Sequence, residues 1–398
     1  MLDLKKIGIS SLRTPDFGFS GRVLSSPDDF TVQEIGDDGA VVSSAAAQNF
    51  GDEGKNGAFL VFTLVKKGLS TQEALHRLSK ATGFKMSRFG YAGNKDKNAL
   101  TYQRISVFKA RVSNFKTEYG GMHLEDFAYR DNGVKIGTLY GNRFTVRIRD
   151  FRGEDLEAFR AEAERGLPNF YGPQRFGESA LNVSVSKSAL AGDFKGALLQ
   201  LVFSERLEGP LGSEARARLK DTFYTFVSDD ADVDREEAGK LLAELPGFMH
   251  TETAIIRRLL SAKHDYVGAF RLIPKYLRLL ILQSYQSYLF NMTVSKLLSE
   301  TYIPTDVPAF GHDLDIGSVA DAPLRSALEK VAEEEKVQTS AFAIKSMPEL
   351  TLKSFVRPAL FVPENLSFLR EGDDLLLKFD LKKGSYATIL LLEMLRKF

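Results

Sequence analysis

The chain has 398 residues, of which 43% are hydrophobic. This length exceeds the usual size of a single core, so two domains are expected, and the hydrophobic content excludes a disordered protein. The absence of cysteine excludes a disulfide framework and a thiolate metal site. The 53 basic and 52 acidic residues give a net charge of +1, which does not by itself indicate a nucleic-acid-binding protein.

The N-terminal residues lack the apolar segment of a signal peptide, and no run reaches membrane-spanning length. A cytoplasmic enzyme or binding protein without membrane contact is therefore expected.

Three elements are predicted near the start of the chain. Residues 18–35 contain a strand and its approach, because apolar and polar residues alternate there, and residues 58–65 form an apolar strand. Ser70 and Glu73 have the spacing of a capping box, which predicts a helix over residues 70–83.

The next stretch places Asp96 between Lys95 and Lys97, on a loop that Gly93 allows to turn tightly before a predicted strand at 101–108. Nearby cations keep a carboxylate ionised, and an ionised carboxylate can act as a nucleophile. The alternative is a solvated turn in which the aspartate caps its own backbone.

Residues 85–111 are locally basic. They contain seven cations and one acid, Asp96, and four aromatic residues lie among them, with Phe84 directly before. The cations are Lys85, Arg88, Lys95, Lys97, Arg104, Lys109 and Arg111. Cations interleaved with aromatic rings suit an RNA with unstacked bases, and the alternative is a solvated basic face.

A strand at 142–149 and an amphipathic helix at 153–166 are predicted to follow. The loop at 169–177 then reads NFYGPQRFG. Its glycines and proline prevent regular structure, while its aromatic and hydrogen-bonding side chains are typical of a binding loop.

From about residue 185 to 352 the pattern is helical, with one long helix that starts near Pro274. The acidic run at 229–237 lacks the glycine and final glutamate of a calcium loop, so a solvated linker is predicted. Strand patterns return at 359–362 and 373–379.

Five segments resemble motifs of the TruD family of tRNA pseudouridine synthases, in the order that the family has them. They are DFTVQE at 29–34, GNKDKNALTYQ at 93–103, NFYGPQRFG at 169–177, YQSYLFN at 285–291 and GSYAT at 384–388. The resemblance extends from about residue 29 to 394.

Three positions depart from the family pattern. Phe170 and Tyr171 exchange the usual order of tyrosine and phenylalanine, and Leu392 stands where the family usually has arginine.

The resemblance implies an α+β fold. A catalytic pseudouridine synthase domain, built on a mixed and mainly antiparallel sheet, would comprise residues 1–184 and 353–398. A mostly helical TRUD domain, residues 185–352, would be inserted into it. The aromatic face of the long helix would then serve core packing more than chemistry.

The resemblance also implies roles for individual residues. Asp96 would be the catalytic nucleophile. Lys95 would hold Asp96 ionised and meet a phosphate, and Gln103 would bind substrate.

The remaining substrate-binding residues lie in other motifs. Phe30, Tyr171 and Tyr386 would bound the target base, Asn169 would form a hydrogen bond with it, and Arg175 would also bind substrate. For Phe30 the alternative is a core residue of a half-buried strand.

The implied activity is the isomerisation of uridine to pseudouridine in tRNA, at uridine 13 of the D arm, by a tRNA pseudouridine(13) synthase. No cofactor and no metal are expected. The partner would be tRNA, with other RNAs open, and a monomer is favoured.

Three other functions are the alternatives to this activity. A GTPase lacks its phosphate-binding loop here, and a metal-dependent nuclease lacks clustered carboxylates or histidines. A non-catalytic RNA-binding or tRNA-folding protein of the same fold remains the alternative.

Overall fold

The structure is a computed structural model, and it describes residues 3–43, 57–206 and 209–397. The chain divides into two compact units. Residues 14–167 and 361–398 form the first, called the sheet unit, and residues 1–13 and 168–360 form the second, called the helical unit. The domain bounds predicted from the sequence stay a prediction.

The first segment of the sheet unit contains most of its strands. They are β1 (Ser20–Arg22), β2 (Phe30–Ile35), β3 (Phe59–Lys67), β4 (Phe89–Tyr91), β5 (Leu100–Phe108), β6 (Glu118–Tyr119), β7 (Met122–Arg130) and β8 (Gly141–Arg152), with helices α1 (Thr71–Thr82) and α2 (Leu156–Glu164). The chain leaves this unit within the short strand β9 (Leu167–Pro168).

The helical unit follows along the chain. It contains α3 (Leu181–Leu190), α4 (Phe194–Phe203), α5 (Gly209–Ser228), α6 (Arg235–Glu244), α7 (His250–Ser261), α8 (Tyr266–Arg271), α9 (Lys275–Ser299), α10 (Ala322–Glu334) and the short strands β10 (Asp306–Ala309), β11 (Phe355–Pro358) and β12 (Leu360–Phe361).

The chain then returns to the sheet unit with β13 (Glu364–Glu371), β14 (Asp374–Lys382) and α11 (Ala387–Leu395). The strand order of the sheet is β13-β14-β8-β2-β5-β3-β7-β6, with β1 on β8 and β4 on β5. Strands β2 and β5 are parallel. The other pairs described in this sheet are antiparallel, which confirms the mixed, mainly antiparallel sheet predicted.

Burial explains the register of the central strands. In β8 the side chains of Phe144, Val146 and Ile148 are buried, and the residues between them are more accessible. A shift by one residue would expose this apolar set, so the alternation fixes the pairing.

The helix α1 begins as the sequence predicted. The Ser70 side chain accepts a hydrogen bond from the Glu73 main chain, and the Glu73 carboxylate accepts one from the Ser70 N–H. Gly83 ends the helix with a positive φ of 73°, which a residue without Cβ adopts readily. The capping box fixes Thr71 as the first helical residue.

The pairing of β3 with β5 determines where the Asp96 loop lies. Lys66 is opposite Thr101, and Lys67 is opposite Leu100. The end of β3 and the start of β5 therefore lie side by side, and the loop between β4 and β5 lies at this edge of the sheet.

In the helical unit, α9 begins directly after Pro274, as predicted. The buried face of α9 is not purely aromatic, because Ser284 and Thr293 are fully buried while Tyr288 and Met292 are only half-buried. The helix is surrounded on most sides, and small polar residues fit where neighbours approach closely.

The acidic run before α6 has a structural role. Asp234 caps the helix by accepting hydrogen bonds from the main-chain N–H groups of Glu236 and Glu237. Over the described residues, no group of three or more histidine, cysteine, aspartate or glutamate side chains could hold a metal ion. None of the described helices is long and apolar enough to cross a membrane.

Candidate active site

The loop between β4 and β5 carries the predicted nucleophile. Asp96 is exposed, and its carboxylate forms no hydrogen bond or ion pair with any residue in the described part of the chain. The structure therefore excludes the alternative in which this aspartate caps its own turn. What holds the loop must act on its main chain.

Lys66 at the end of β3 is the first of these supports. Only 1% of its surface is exposed. Its Nζ donates to the main-chain oxygens of Leu69 at 2.7 Å, Asp96 at 3.0 Å and Lys95 at 3.4 Å. One ammonium thus joins the end of β3 to the loop on both sides of the Lys95–Asp96 peptide bond.

Thr71 and Gln103 form the second support. The Lys95 N–H donates to Thr71 Oγ1 at 2.9 Å, and this hydroxyl donates to Gln103 Oε1 at 2.9 Å. The Gln103 amide in turn donates to the Gly93 oxygen at 3.4 Å.

Gln103, whose substrate-binding role stays a prediction, is fully buried. The side chain has no exposed surface, so it cannot reach a substrate in this conformation. It positions the loop instead.

The contacts of Lys95 also differ from those that its predicted role requires. Its ammonium donates to Asn142 Oδ1 at 2.7 Å and pairs with Glu34 Oε2 at 3.1 Å. The side chains of Lys95 and Glu34 are almost fully buried. Lys95 therefore makes no direct contact with the Asp96 carboxylate, and in this conformation it is too buried to meet a phosphate.

Burial and neighbouring charges have opposing effects on the pKa values of Asp96 and Lys66. Although Asp96 has exposed surface, desolvation by the surrounding protein raises the pKa of its carboxyl group, and the positive charges of Lys66 and Lys95 partly oppose that rise. Burial lowers the pKa of Lys66 to about 8, against the opposing effects of the negative charges on Asp96 and Glu73. The sequence pointed to Lys95, but Lys66 is the larger influence on Asp96.

Phe30, predicted to lie beside the base, packs in the core of the sheet unit. It is 4% exposed, and its ring lies edge-on to that of Phe144, with the centroids 5.9 Å apart. Phe144 stacks in turn on Phe379. The geometry matches the alternative interpretation, that of a core residue.

Tyr386 is half-buried and directly precedes α11. Leu392, which replaces the arginine usual in the family, is fully buried on that helix. The apolar side chain thus serves the core, where an unpaired arginine would carry a large desolvation cost.

The loop at 169–177, in the helical unit, is held by its side chains. Asn169 Nδ2 donates to the Pro358 oxygen at 3.1 Å, and Asn169 Oδ1 accepts from Arg357 Nη2 at 2.7 Å. Arg357 Nε also donates to the Asn169 main-chain oxygen at 2.9 Å. The predicted base-binding amide is thus engaged within the protein.

Tyr171 is buried rather than open to a base. It is 6% exposed, the guanidinium of Arg357 lies 4.1 Å from its ring centroid, and the ring meets Phe290 edge-on at 5.5 Å. Desolvation raises the pKa of its hydroxyl, against the opposing charges of Arg357 and Arg175. In this conformation the ring packs against its neighbours, and its stacking on a flipped uracil stays a prediction.

Arg175 attaches the same loop to α9. Its guanidinium donates to Gln283 Oε1 at 2.9 Å and to Ser287 Oγ at 3.2 Å. These contacts occupy two of its donor groups, and the remaining donors leave a substrate contact open.

Asn291 completes the support of the loop. It has no exposed surface, accepts from the Tyr171 N–H at 2.8 Å, and donates to the main-chain oxygens of Tyr171 at 3.1 Å and Ile7 at 2.8 Å. The sequence interpretation assigned this segment to core packing and overlooked the amide. A lone asparagine within a buried helix was the signal, because buried amides need hydrogen-bond partners.

The basic region at 85–111 is less uniformly open than its composition predicted. Lys95 is buried, Lys97 pairs with Glu73, Arg104 pairs with Asp38, and Arg88 donates to the main chain and covers Phe84 at 3.9 Å. The cations with exposed side chains and no ion pair among the described residues are Lys85, Lys109 and Arg111.

Known proteins similar to this chain share its length and fold. Residues 6–314 and 303–394 match the family described as tRNA pseudouridine synthase D (TruD). A probable tRNA pseudouridine synthase D of Methanopyrus kandleri is 32% identical over 366 residues, which cover 86% of each chain. A probable tRNA pseudouridine synthase D 1 of Methanocaldococcus jannaschii is 28% identical over 394 residues, covering 95% of this chain and 96% of that protein.

A solved structure supports the same comparison at the level of the fold. The crystal structure of a TruD protein from Methanosarcina mazei matches with a TM-score of 0.70 at 24% identity, covering 99% of this chain and 97% of that one.

Proposed function

Since the chain belongs to the TruD family of tRNA pseudouridine synthases, we propose that it isomerises uridine to pseudouridine in tRNA. The target is uridine 13 of the D arm, and Asp96 is the nucleophile. The reaction takes place in the cytoplasm.

One observation carries the assignment of Asp96. Its carboxylate is exposed and engages no described side chain, while the main chain on both sides of it is fixed by Lys66, Thr71 and Gln103. Such an arrangement holds a reactive group in place without using its oxygen atoms. Preorganisation of this kind is what an attacking group requires.

The chemistry needs no oxidant or energy source. The bond between ribose C1′ and N1 of the base breaks, the base turns, and C1′ bonds to C5. The proton on C5 is lost, and N1 takes up a proton, so the product is an isomer of the substrate. Asp96 can attack the ribose or the base, or promote a glycal intermediate.

Access to the target base requires it to leave the RNA stack. Unstacking costs about a few kcal/mol, which contacts to the phosphate backbone and to the base offset. Lys109 and Arg111 are exposed cations, and the Lys109 ammonium lies 5.3 Å from the centroid of the Phe108 ring, which is also exposed. They are the candidates for contacts with phosphates.

The test is release of tritium from tRNA labelled at C5 of uridine, because isomerisation removes the hydrogen on that carbon. The purified chain should release one equivalent per tRNA, and a transcript with cytidine in place of uridine 13 should release none. Binding of tRNA without any release would instead identify the non-catalytic RNA-binding alternative.

A further inference from the structure

Two adjacent lysines at the end of β3 have opposite environments. Lys67 has a side chain that is 47% exposed and pairs with Asp28. Lys66 is 1% exposed, and within the described residues its ammonium contacts three main-chain oxygens and no carboxylate. A buried cation that lacks a carboxylate partner is costly, so its retention needs an explanation.

The three oxygens indicate what this ammonium does. They belong to Leu69, which follows β3, and to Lys95 and Asp96, which form the loop. The side chain therefore ties the loop to the end of the strand. It also places a positive charge near the Asp96 carboxylate without occupying it.

We propose that Lys66 is a positioning residue for pseudouridine formation, one that fixes the main chain at Asp96 and supplies the positive charge that keeps its carboxylate ionised. This inference rests on the proposed function. It assigns to Lys66 the electrostatic role that the sequence interpretation gave to Lys95. The Lys95 ammonium is itself neutralised by Glu34 and held by Asn142.

Other charged groups face Lys66 from each neighbouring element. Asp96 and Lys95 lie on the loop and Glu73 on α1. From the β6–β7 side, Glu118 and His123 line a cavity of about 240 Å³ together with Lys66. His123 is engaged by Glu118 at 2.6 Å and by Glu125 at 3.5 Å. Among the carboxylates, Asp96 acts on Lys66 more strongly than Glu73 does.

The role predicts a particular pH dependence. Burial lowers the pKa of Lys66 to about 8, so its ammonium is charged below that pH and neutral above it. The rate should fall as the pH rises through about 8. It should also fall at low pH, as Asp96 becomes protonated through its raised pKa.

The central test compares Lys66→Met with Lys67→Met, which removes a charge from the adjacent residue at an exposed position. Single-turnover tritium release by Lys66→Met should be at least about 100-fold slower, because a displacement of about 1 Å at a reacting group can cost that much. Its Kd for tRNA should stay within about threefold of wild type. For Lys67→Met, the single-turnover rate and the Kd for tRNA should both stay within about threefold of wild type.

Lys66→Arg keeps the test decisive if Lys66→Met does not fold. Arginine stays charged throughout the accessible pH range. The decline of the rate between pH about 7.5 and 9 should therefore be present in wild type and absent from Lys66→Arg.

Three results would contradict the proposed positioning role of Lys66. They are a Lys66→Met rate within threefold of wild type, a wild-type rate that does not decline above pH about 8, and the same decline in Lys66→Arg. If wild type itself releases no tritium, the proposed function fails, and this outcome is distinct from a failure at Lys66 alone.

Discussion

Two loops of this chain carry family motifs, and they differ in what their motif side chains do. The loop around Asp96 is held at its main chain by Lys66, Thr71 and Gln103, and the Asp96 carboxylate forms no hydrogen bond or ion pair with a described residue. The loop at 169–177 is held at its main chain by Asn291 and Arg357, and its Asn169 and Arg175 side chains are also hydrogen-bonded within the protein.

This difference distinguishes a side chain that can react from side chains that define the shape of a surface. A side chain that reacts must keep its oxygen atoms accessible, so its support has to come from the backbone. A side chain that already donates and accepts inside the protein, as Asn169 does with Pro358 and Arg357, is suited to define the shape of a surface. Both kinds of residue can match a family motif, and only the structure distinguishes them.

The largest effect is expected at Asp96. Asp96→Asn preserves the size of the side chain and removes its charge and nucleophilicity. Single-turnover tritium release should fall by at least about 10³-fold, or about 4 kcal/mol at 1.36 kcal/mol per decade. Turnover within tenfold of wild type would contradict the assignment.

The control for this variant is its stability. Desolvation raises the pKa of Asp96 in the folded state, so the protonated form is favoured there, and the folded state loses stability as the pH rises through that pKa. At neutral pH the melting temperature of Asp96→Asn should equal or exceed that of wild type. The difference in melting temperature between Asp96→Asn and wild type should shrink as the pH falls toward 3.8. A clear loss of stability at neutral pH would mean that the carboxylate has structural contacts.

The second-largest effect is expected at Asn291, which supports the loop at 169–177. Asn291→Leu removes three hydrogen bonds to main-chain groups of Tyr171 and Ile7. The free energy of unfolding should fall by about 3 kcal/mol, since an unsatisfied buried group costs about 1–3 kcal/mol. Denaturant titration measures this, with Asn132→Ala as the exposed control, which should stay within about 0.5 kcal/mol.

A smaller effect is expected at Tyr171. Tyr171→Leu loses the ring that contacts Arg357 and Phe290 and should destabilise the protein by about 2 kcal/mol, while Tyr171→Phe should cost less than about 1 kcal/mol. Melting temperatures and single-turnover rates should fall together in Tyr171→Leu. A slow but fully stable Tyr171→Leu would restore the stacking role that the sequence predicted.

The smallest effect is expected on the salt dependence of RNA binding. If Lys109 and Arg111 contact phosphates, replacing both with alanine should reduce the slope of log affinity against log salt by roughly 1.4–1.8, at about 0.7–0.9 per contact. Replacing Lys240 and Arg218, which pair with glutamates on the helical unit, should leave the slope unchanged. Equal changes in both double variants would place the RNA elsewhere.

Much of the fold was predictable because it depends on local patterns. The alternation of β8, the capping box at Ser70 and the start of α9 after Pro274 were each predicted from adjacent residues and are present. Strands β11 and β13 were not predicted. Their residues are mostly half-buried or exposed, so no apolar alternation marks them.

The site was predictable in its motifs and not in its contacts. The motifs indicated the TruD family, which the comparisons confirm. The contacts of the two loops came from distant positions: Lys66, which holds the Asp96 loop, and Arg357, which holds the loop at 169–177, both lie outside every motif. Which lysine of a pair is buried depends on strand pairing, and a single sequence does not encode that locally.

The most direct test of this account is single-nucleotide mapping of pseudouridine in tRNA incubated with wild type and with Asp96→Asn. Wild type should add pseudouridine at position 13 of the D arm, and Asp96→Asn should add none while it still binds the tRNA. No new pseudouridine with wild type, or the same position modified by Asp96→Asn, would contradict the account.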